Sequence, residues 1–125
     1  MFMDPEKSSS PPTIPSSPRE AHKEARKFRR IPVDLLCLFS ADGPHEWSGT
    51  VVNLSREGCA IRSTTPVQKD QYLHVLLFRS ANQPPIEVGA APVRWSANEH
   101  FGVEFITLTA RDANRLQSLL TIIGP

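Results

Sequence analysis

From residue 31 onward, apolar and polar residues alternate in short runs with a period of two. This is the pattern of a β-strand that buries one face and exposes the other. Residues that favour turns separate the runs, for example in the segments 42–44 and 82–85. The pattern predicts six short strands, at residues 31–39, 46–54, 59–63, 72–78, 86–96 and 100–106.

Two of these strands depart from simple alternation. The strand 72–78 is apolar on both faces, which is typical of a central or barrel-forming strand. The strand 86–96 contains Gly89 and Pro92, and these residues predict a bulge or an edge in its middle.

The end of the chain changes to the spacing of an α-helix. Thr109 is a predicted N-cap with Asp112 at the third helical position, and Gly124 is placed to end the helix. A helix with one apolar stripe needs a surface to cover, such as the end or face of a barrel. The sequence therefore predicts a mainly β fold, a six-stranded antiparallel β-barrel with one C-terminal α-helix. The residues of the predicted stripe are Ala113, Leu116, Leu120 and Ile123.

The first part of the chain has a different composition. Residues 1–18 contain five prolines and five serines and almost no apolar residues, so burial cannot offset the entropy cost of ordering them. We therefore predict a disordered tail over residues 1–23 and one folded domain over residues 24–123. A chain of 125 residues with 39% apolar residues is sufficient for one such core.

The net charge of +1 conceals a cluster of positive charge. Residues 19–30 hold six Lys or Arg and two Glu, a balance of +4, whereas residues 31–125 have a balance of −2. A positive field concentrated at the entrance to the domain favours an anionic partner at that place.

A polar turn at residues 53–58 separates two of the predicted strands. Its Asn and Ser side chains can bond local backbone and still offer groups to a ligand, and Gly58 can adopt a positive φ. The guanidinium of a nearby arginine binds phosphate or the O6/N7 edge of guanine in bidentate fashion and stacks on a base. The turn and the arginines together suit a ligand that is anionic and carries guanine.

Two spaced motifs carry a family resemblance. Arg26 and Arg30 form an RxxxR motif, and Asn53, Ser55 and Gly58 form an NxSxxG motif one strand pair later. Together they resemble the signature of the PilZ domain, whose members are bacterial receptors for cyclic di-GMP. The resemblance covers roughly residues 24–123 and includes the segments 31–33, 93–95 and 101–105.

The resemblance implies a fold and a set of ligand contacts. The fold is a PilZ-like split barrel of six antiparallel strands. The arginines of the first motif are expected to bind phosphates and guanine faces of cyclic di-GMP, and the residues of the second motif to line its other side. The implied ligand-binding residues are Arg26, Arg30, Asn53, Ser55 and Gly58, with Lys27 and Arg29 as possible additional contacts.

Other kinds of chemistry find little support in the sequence. Glu57 and Glu104 have no His, Ser or Cys partner arranged around them, so we expect no enzyme and no cofactor. Cys37 and Cys59 lie in apolar strand patterns and are expected to be small buried hydrophobes. The cysteines and histidines lack the close spacing of metal ligands.

The location expected from the sequence is the cytoplasm. The start of the chain lacks the basic and apolar regions of a signal peptide, and no segment approaches the ~20 apolar residues that span a bilayer.

Three functions are compatible with these features. The first is a cyclic di-GMP receptor that couples the level of a second messenger to a conformational change and to a downstream protein that the sequence does not identify. The second is a PilZ-like module that binds no nucleotide and interacts with a protein. The third, a binder of single-stranded nucleic acid, is disfavoured because the sequence offers few candidates for exposed aromatic residues.

Overall fold

The structure, a computed structural model, describes residues 29–124. The predicted tail and the candidate ligand residues Arg26 and Lys27 lie outside this range. Each predicted strand is present, with ends that differ by no more than two residues from the predicted ones. The elements are β1 (Ile31–Ser40), β2 (Trp47–Leu54), β3 (Gly58–Arg62), β4 (Tyr72–Phe78), β5 (Ile86–Ala97), β6 (His100–Glu104) and the helix α1 (Ala110–Ile123).

The strands close into a barrel in the order β1-β2-β3-β6-β5-β4, and every neighbouring pair is antiparallel. Closure leaves no unpaired strand edge. One face of each strand points inward and builds a single apolar core. This confirms the predicted six-stranded antiparallel barrel with a C-terminal helix. The largest fully buried side chains include Phe39, Phe101, Leu54, Ile61, Leu73 and Leu77.

A bulge in β2 decides which way its last residues point. Val51 pairs with Ile61, but Asn53 pairs with Ala60, so the register shifts by one residue between them. As a result Val51 and Leu54 are both fully buried, although they are three residues apart. Strict alternation would have placed Asn53 inside the barrel. The bulge instead puts Leu54 in the core and leaves Asn53 at the rim.

The predicted irregularity in β5 is a bulge. Leu73 pairs with Ala91 and Val75 pairs with Val88, so β5 has one more residue than β4 over this stretch. The N–H of Gly89, within the bulge, donates to the carbonyl oxygen of Thr107 at 2.8 Å, outside the barrel strands. The bulge therefore turns part of β5 toward the segment that leads into α1.

The second apolar face of β4 lies on the outside of the barrel. Leu76 pairs with Leu38 of β1, and Phe78 pairs with Leu36. These four side chains alternate with buried residues, so they point outward and lie side by side. Three of them are half-buried, whereas Leu36 is 55% exposed. We call this surface the β1–β4 outer face.

Helix α1 closes one end of the barrel. Its N-cap is Thr109 as predicted, with the hydroxyl oxygen accepting from the N–H of Asp112 at 3.0 Å. Arg115 is bonded to Asp112 and to the carbonyl oxygens of Pro84 and Pro85, which fasten the helix to the β4–β5 connection.

The buried stripe of α1 differs in part from the predicted one. Leu116 and Leu120 are buried as expected, but Leu119 is also buried and Ala113 is exposed. Gly124 caps the helix in an extended conformation, with φ −76°, so it does not stop the helix through a left-handed turn. The predicted end is therefore right in position, whereas its mechanism is different.

The β5–β6 hairpin offers a test of local strain. Asn98 and Glu99 both have positive φ, 52° and 63°, as in a type I′ turn that favours Asn-Gly. A left-handed conformation costs a residue other than glycine roughly 1–2 kcal/mol. Glu99→Gly is therefore expected to raise the free energy of unfolding by about 0.5–1 kcal/mol in urea denaturation, after the entropy cost of glycine is subtracted.

The matched control is Glu99→Ala, which removes the same carboxylate without relieving the backbone. It should leave stability unchanged or lower it slightly. If alanine stabilised the protein as much as glycine does, the effect would come from the lost charge and the strain argument would be wrong.

Candidate ligand-binding site

The pairing of β1 with β2 places the two motifs next to each other. Ile31 pairs with Leu54 and Pro32 pairs with Asn53, so the residues just before β1 lie beside the turn 53–58. Antiparallel pairing thus brings Arg29 and Arg30 to the rim of the barrel, where the second motif begins.

Arg30 connects the two motifs directly. Its Nη1 donates to Oδ1 of Asn53 at 3.1 Å. A Cβ built at Gly58 would lie 3.3 Å from its Nη2, so the same guanidinium also approaches the far end of the turn. Arg30 is half-buried. The structure therefore brings Arg30, Asn53 and Gly58 into one cluster.

Ser55 shapes the turn. It is only 1% exposed, and its N–H donates to the carbonyl oxygen of Gly58 at 2.9 Å. Its hydroxyl also donates to that oxygen at 3.4 Å and accepts from the N–H of Glu57 at 3.2 Å. These bonds fix the turn backbone, and direct contact of the Ser55 hydroxyl with a ligand stays a prediction.

Gly58 is required for a reason other than the predicted one. Gly43 is the glycine that has positive φ among the residues that the structure describes, and Gly58 does not share that conformation. A Cβ at Gly58 would instead come within 2.2 Å of the carbonyl oxygen of Val103 on β6. Real side chains do not reach so close to backbone, so β3 and β6 can approach here only if residue 58 lacks a side chain.

A carboxylate on β6 beside the turn is already paired. Glu104 lies opposite Gly58 in the β3–β6 ladder. Both Nε and Nη2 of Arg94 lie 2.8 Å from its Oε1, which places positive charge next to this carboxylate. An anion near Gly58 therefore meets a Glu104 whose charge is balanced by Arg94.

The two thiols lie below this cluster and are chemically quiet. Both are buried in strands, as predicted. Burial raises the pKa of Cys37 to about 12, with a backbone hydrogen bond from Gly49 acting in the opposite direction. Burial, and next Cys37, also raise the pKa of Cys59, and the nearby Arg30 only partly offsets them. Both cysteines therefore remain protonated thiols at neutral pH.

A groove next to the turn contains a residue that the sequence analysis did not select. Arg56 lies inside the NxSxxG motif and lines this groove together with Arg29. The position of Arg56 within the motif was the one feature of the sequence that could have identified it as a candidate. The other lining residues come from the start of β1 and from α1, and their nearness to the turn depends on where the helix packs. They are Ile31, Gln117, Leu120 and Thr121.

Residues 29–124 contain neither a metal-ligand cluster nor a membrane-spanning helix. Within that range no group of three or more His, Cys, Asp or Glu side chains is placed to hold a metal ion. The described part of the chain also has no helix with the length and apolar character needed to cross a membrane.

Fold and site together define a small closed barrel with an arginine-rich rim, an arrangement suited to an anionic ligand. The family model of the PilZ domain matches residues 24–121. The chain therefore belongs to the PilZ domain family. A comparison with curated proteins found no match.

Several solved structures share the fold. The inhibitor of motility of Bacillus subtilis (MotI/DgrA) is 20% identical with a TM-score of 0.65, over 78% of this chain and 50% of that chain. The PilZ domain of CeSA from a cellulose-synthesizing bacterium is 15% identical with a TM-score of 0.63, over 78% and 99%. YcgR of Escherichia coli, in complex with c-di-GMP, is 12% identical with a TM-score of 0.62, over 78% and 45%.

At these identities the likeness establishes the fold. The chain spans about half the length of the MotI/DgrA and YcgR chains and nearly all of the CeSA domain.

Proposed function

We propose that the protein is a receptor for cyclic di-GMP and has no catalytic activity of its own. The observation that carries this proposal is the contact of Arg30 with Asn53 and its approach to Gly58, which joins the two motifs at the barrel rim. Membership of the PilZ family supports it, as does the complex of c-di-GMP with YcgR, whose fold this chain shares.

The ligand contacts follow from the chemistry of the rim. The guanidinium of Arg30 can exchange its bond to Asn53 for bidentate bonds to a phosphate or to guanine O6/N7. Asn53 then presents its amide, which offers both donors and an acceptor, to the same ligand. We propose that Arg26 adds a second guanidinium and that Lys27 and Arg29 add charge. We propose that Gly58 acts indirectly, because its missing side chain lets β3 approach β6 and so holds the turn at the rim.

We further propose how binding becomes a signal. In the described structure Arg30 is bonded to the protein's own Asn53. A ligand that binds Arg26 and Arg30 together favours the conformation in which the segment 24–30 lies across the rim. A downstream partner would recognise that conformation. A receptor for an internal second messenger acts in the cytoplasm, where we expect this protein.

A module that interacts with a protein without binding nucleotide is the second candidate. It is favoured by the β1–β4 outer face, where Leu36 is 55% exposed beside Phe78. Apolar surface of this kind is typical of protein contact sites.

Calorimetric titration of the full chain tests the proposal. Cyclic di-GMP is expected to bind much more tightly than cyclic di-AMP, because adenine places a donor at N6 where guanine places the acceptor O6. Equal affinity for the two would reduce the site to a phosphate patch. Absence of binding to both would favour the interaction module, and tight binding of single-stranded RNA with a steep salt dependence would favour a nucleic-acid binder.

A further inference from the structure

The groove between the turn and the helix has a defined size and position. Its volume is about 190 Å³, and it lies where the segment before β1, the turn 53–58 and the second half of α1 meet. Pockets that enclose a whole drug-sized ligand usually have volumes of about 300–1,000 Å³. The groove is therefore suited to one part of a dinucleotide and too small for all of it.

The walls of the groove offer three kinds of contact. The guanidinium groups of Arg29 and Arg56 are suited to an anion such as phosphate. Ile31 and Leu120 provide aliphatic surface against which the face of a base can pack. Gln117 contributes an amide with both donors and an acceptor, which is the chemistry that binds the edge of a base.

The second half of α1 forms one wall of the groove. The hydroxyl of Thr121 donates to the backbone carbonyl oxygen of Gln117 at 3.0 Å, and its lone pairs still accept. Leu120 lies between these two polar residues in the sequence and is buried against the barrel. Burial of Leu120 therefore fixes this wall of the groove to the end of the barrel.

The groove and the Arg30 cluster share two segments of the chain. Arg29 lines the groove, whereas its neighbour Arg30 is bonded to Asn53. Arg56 comes from the same turn as Asn53 and Gly58. A ligand bound at the rim by Arg30 and Asn53 would therefore have its remaining charged and base groups within reach of the groove.

We propose that the groove is a second subsite for the same ligand, where one guanylate unit of cyclic di-GMP binds. Arg56, with Arg29, binds its phosphate, and Gln117 binds the edge of a guanine that packs on Leu120 and Ile31. This inference rests on the proposed function. It adds that the ligand contacts α1 directly, so that occupancy of the site is transmitted to the C-terminal helix.

Titration of cyclic di-GMP into single variants tests the subsite. Arg56→Ala is expected to weaken binding by about 10- to 100-fold and Gln117→Ala by about 3- to 10-fold, the ranges for charged and neutral hydrogen bonds. Both residues are exposed, so the melting temperatures of the free variants should stay within a few degrees of the wild type. Arg111→Ala and Asn114→Ala, exposed on the same helix but outside the groove lining, are the matched controls and should keep wild-type affinity.

Salt dependence separates the two roles. Arg56→Ala should lessen the decline of affinity with ionic strength, because it removes a charge contact, whereas Gln117→Ala should leave that decline unchanged. Wild-type affinity in both groove variants, with binding lost in Arg30→Ala, would overturn the subsite and leave the proposed function standing. No binding of cyclic di-GMP by the wild-type chain would overturn both.

Discussion

Replacing Arg30 with alanine is expected to weaken the binding of cyclic di-GMP by about 30- to 100-fold. The change removes charge-assisted hydrogen bonds to the ligand, which contribute about 2–3 kcal/mol, and each 1.4 kcal/mol corresponds to a factor of ten. Calorimetric titration at near-physiological salt measures the loss. Arg30→Lys keeps the charge but lacks the planar fork, so it should restore binding only in part.

The structure also predicts a cost to folding for the same variant. Because Arg30 is half-buried and bonded to Asn53, alanine should lower the free energy of unfolding by about 0.5–1.5 kcal/mol. Arg62→Ala is the matched control, since Arg62 is an exposed arginine at the opposite end of β3 from Gly58. It should change neither binding nor stability. Binding by Arg30→Ala within about threefold of the wild type would contradict the site.

Replacing Leu116 with alanine is expected to lower the free energy of unfolding by about 2–4 kcal/mol. Leu116 is 2% exposed and packs in the core where α1 closes the barrel, so the smaller side chain leaves a cavity. Urea denaturation of the two proteins measures the difference.

The control for this prediction lies on the same helix. Ile122 is 64% exposed, so Ile122→Ala should change stability by less than about 0.5 kcal/mol. A loss below about 0.5 kcal/mol for Leu116→Ala as well would mean that the helix does not close the barrel in solution.

The strands were predictable because alternation is a local property. A residue and its neighbour two positions away lie on the same face of a strand wherever the strand is placed. The bulge in β2 broke this rule, because it depends on pairing with β3 and leaves no local sign in the sequence. It decides that Leu54 enters the core and that Asn53 remains at the rim, so it positions a candidate ligand residue.

The helix shows the same limit. Two stripes fit helical spacing, one that includes Ala113 and one that includes Leu119, and the barrel end selects the second. Only after α1 is placed does Gln117 come near Arg56. The groove could not be predicted from the sequence, because its lining residues come from segments that are far apart in the chain.

The motifs predicted which residues meet but not how. The contact of Arg30 with Asn53 required two segments to be paired by the barrel, and the reason for glycine at position 58 is the carbonyl oxygen of Val103 on another strand. Both are tertiary facts. The sequence motifs therefore identify the residue types that these contacts need, but they do not show which residues are in contact.

Binding of cyclic di-GMP at the rim formed by Arg30 and the turn 53–58 is tested most directly by a map of backbone amide NMR shifts on adding the ligand. The largest changes are predicted at Arg30 and within the turn, with small changes at the 98–99 hairpin, which lies beyond the opposite end of β6. Saturation with changes confined to the β1–β4 outer face or to that hairpin, or no change at all, would contradict it.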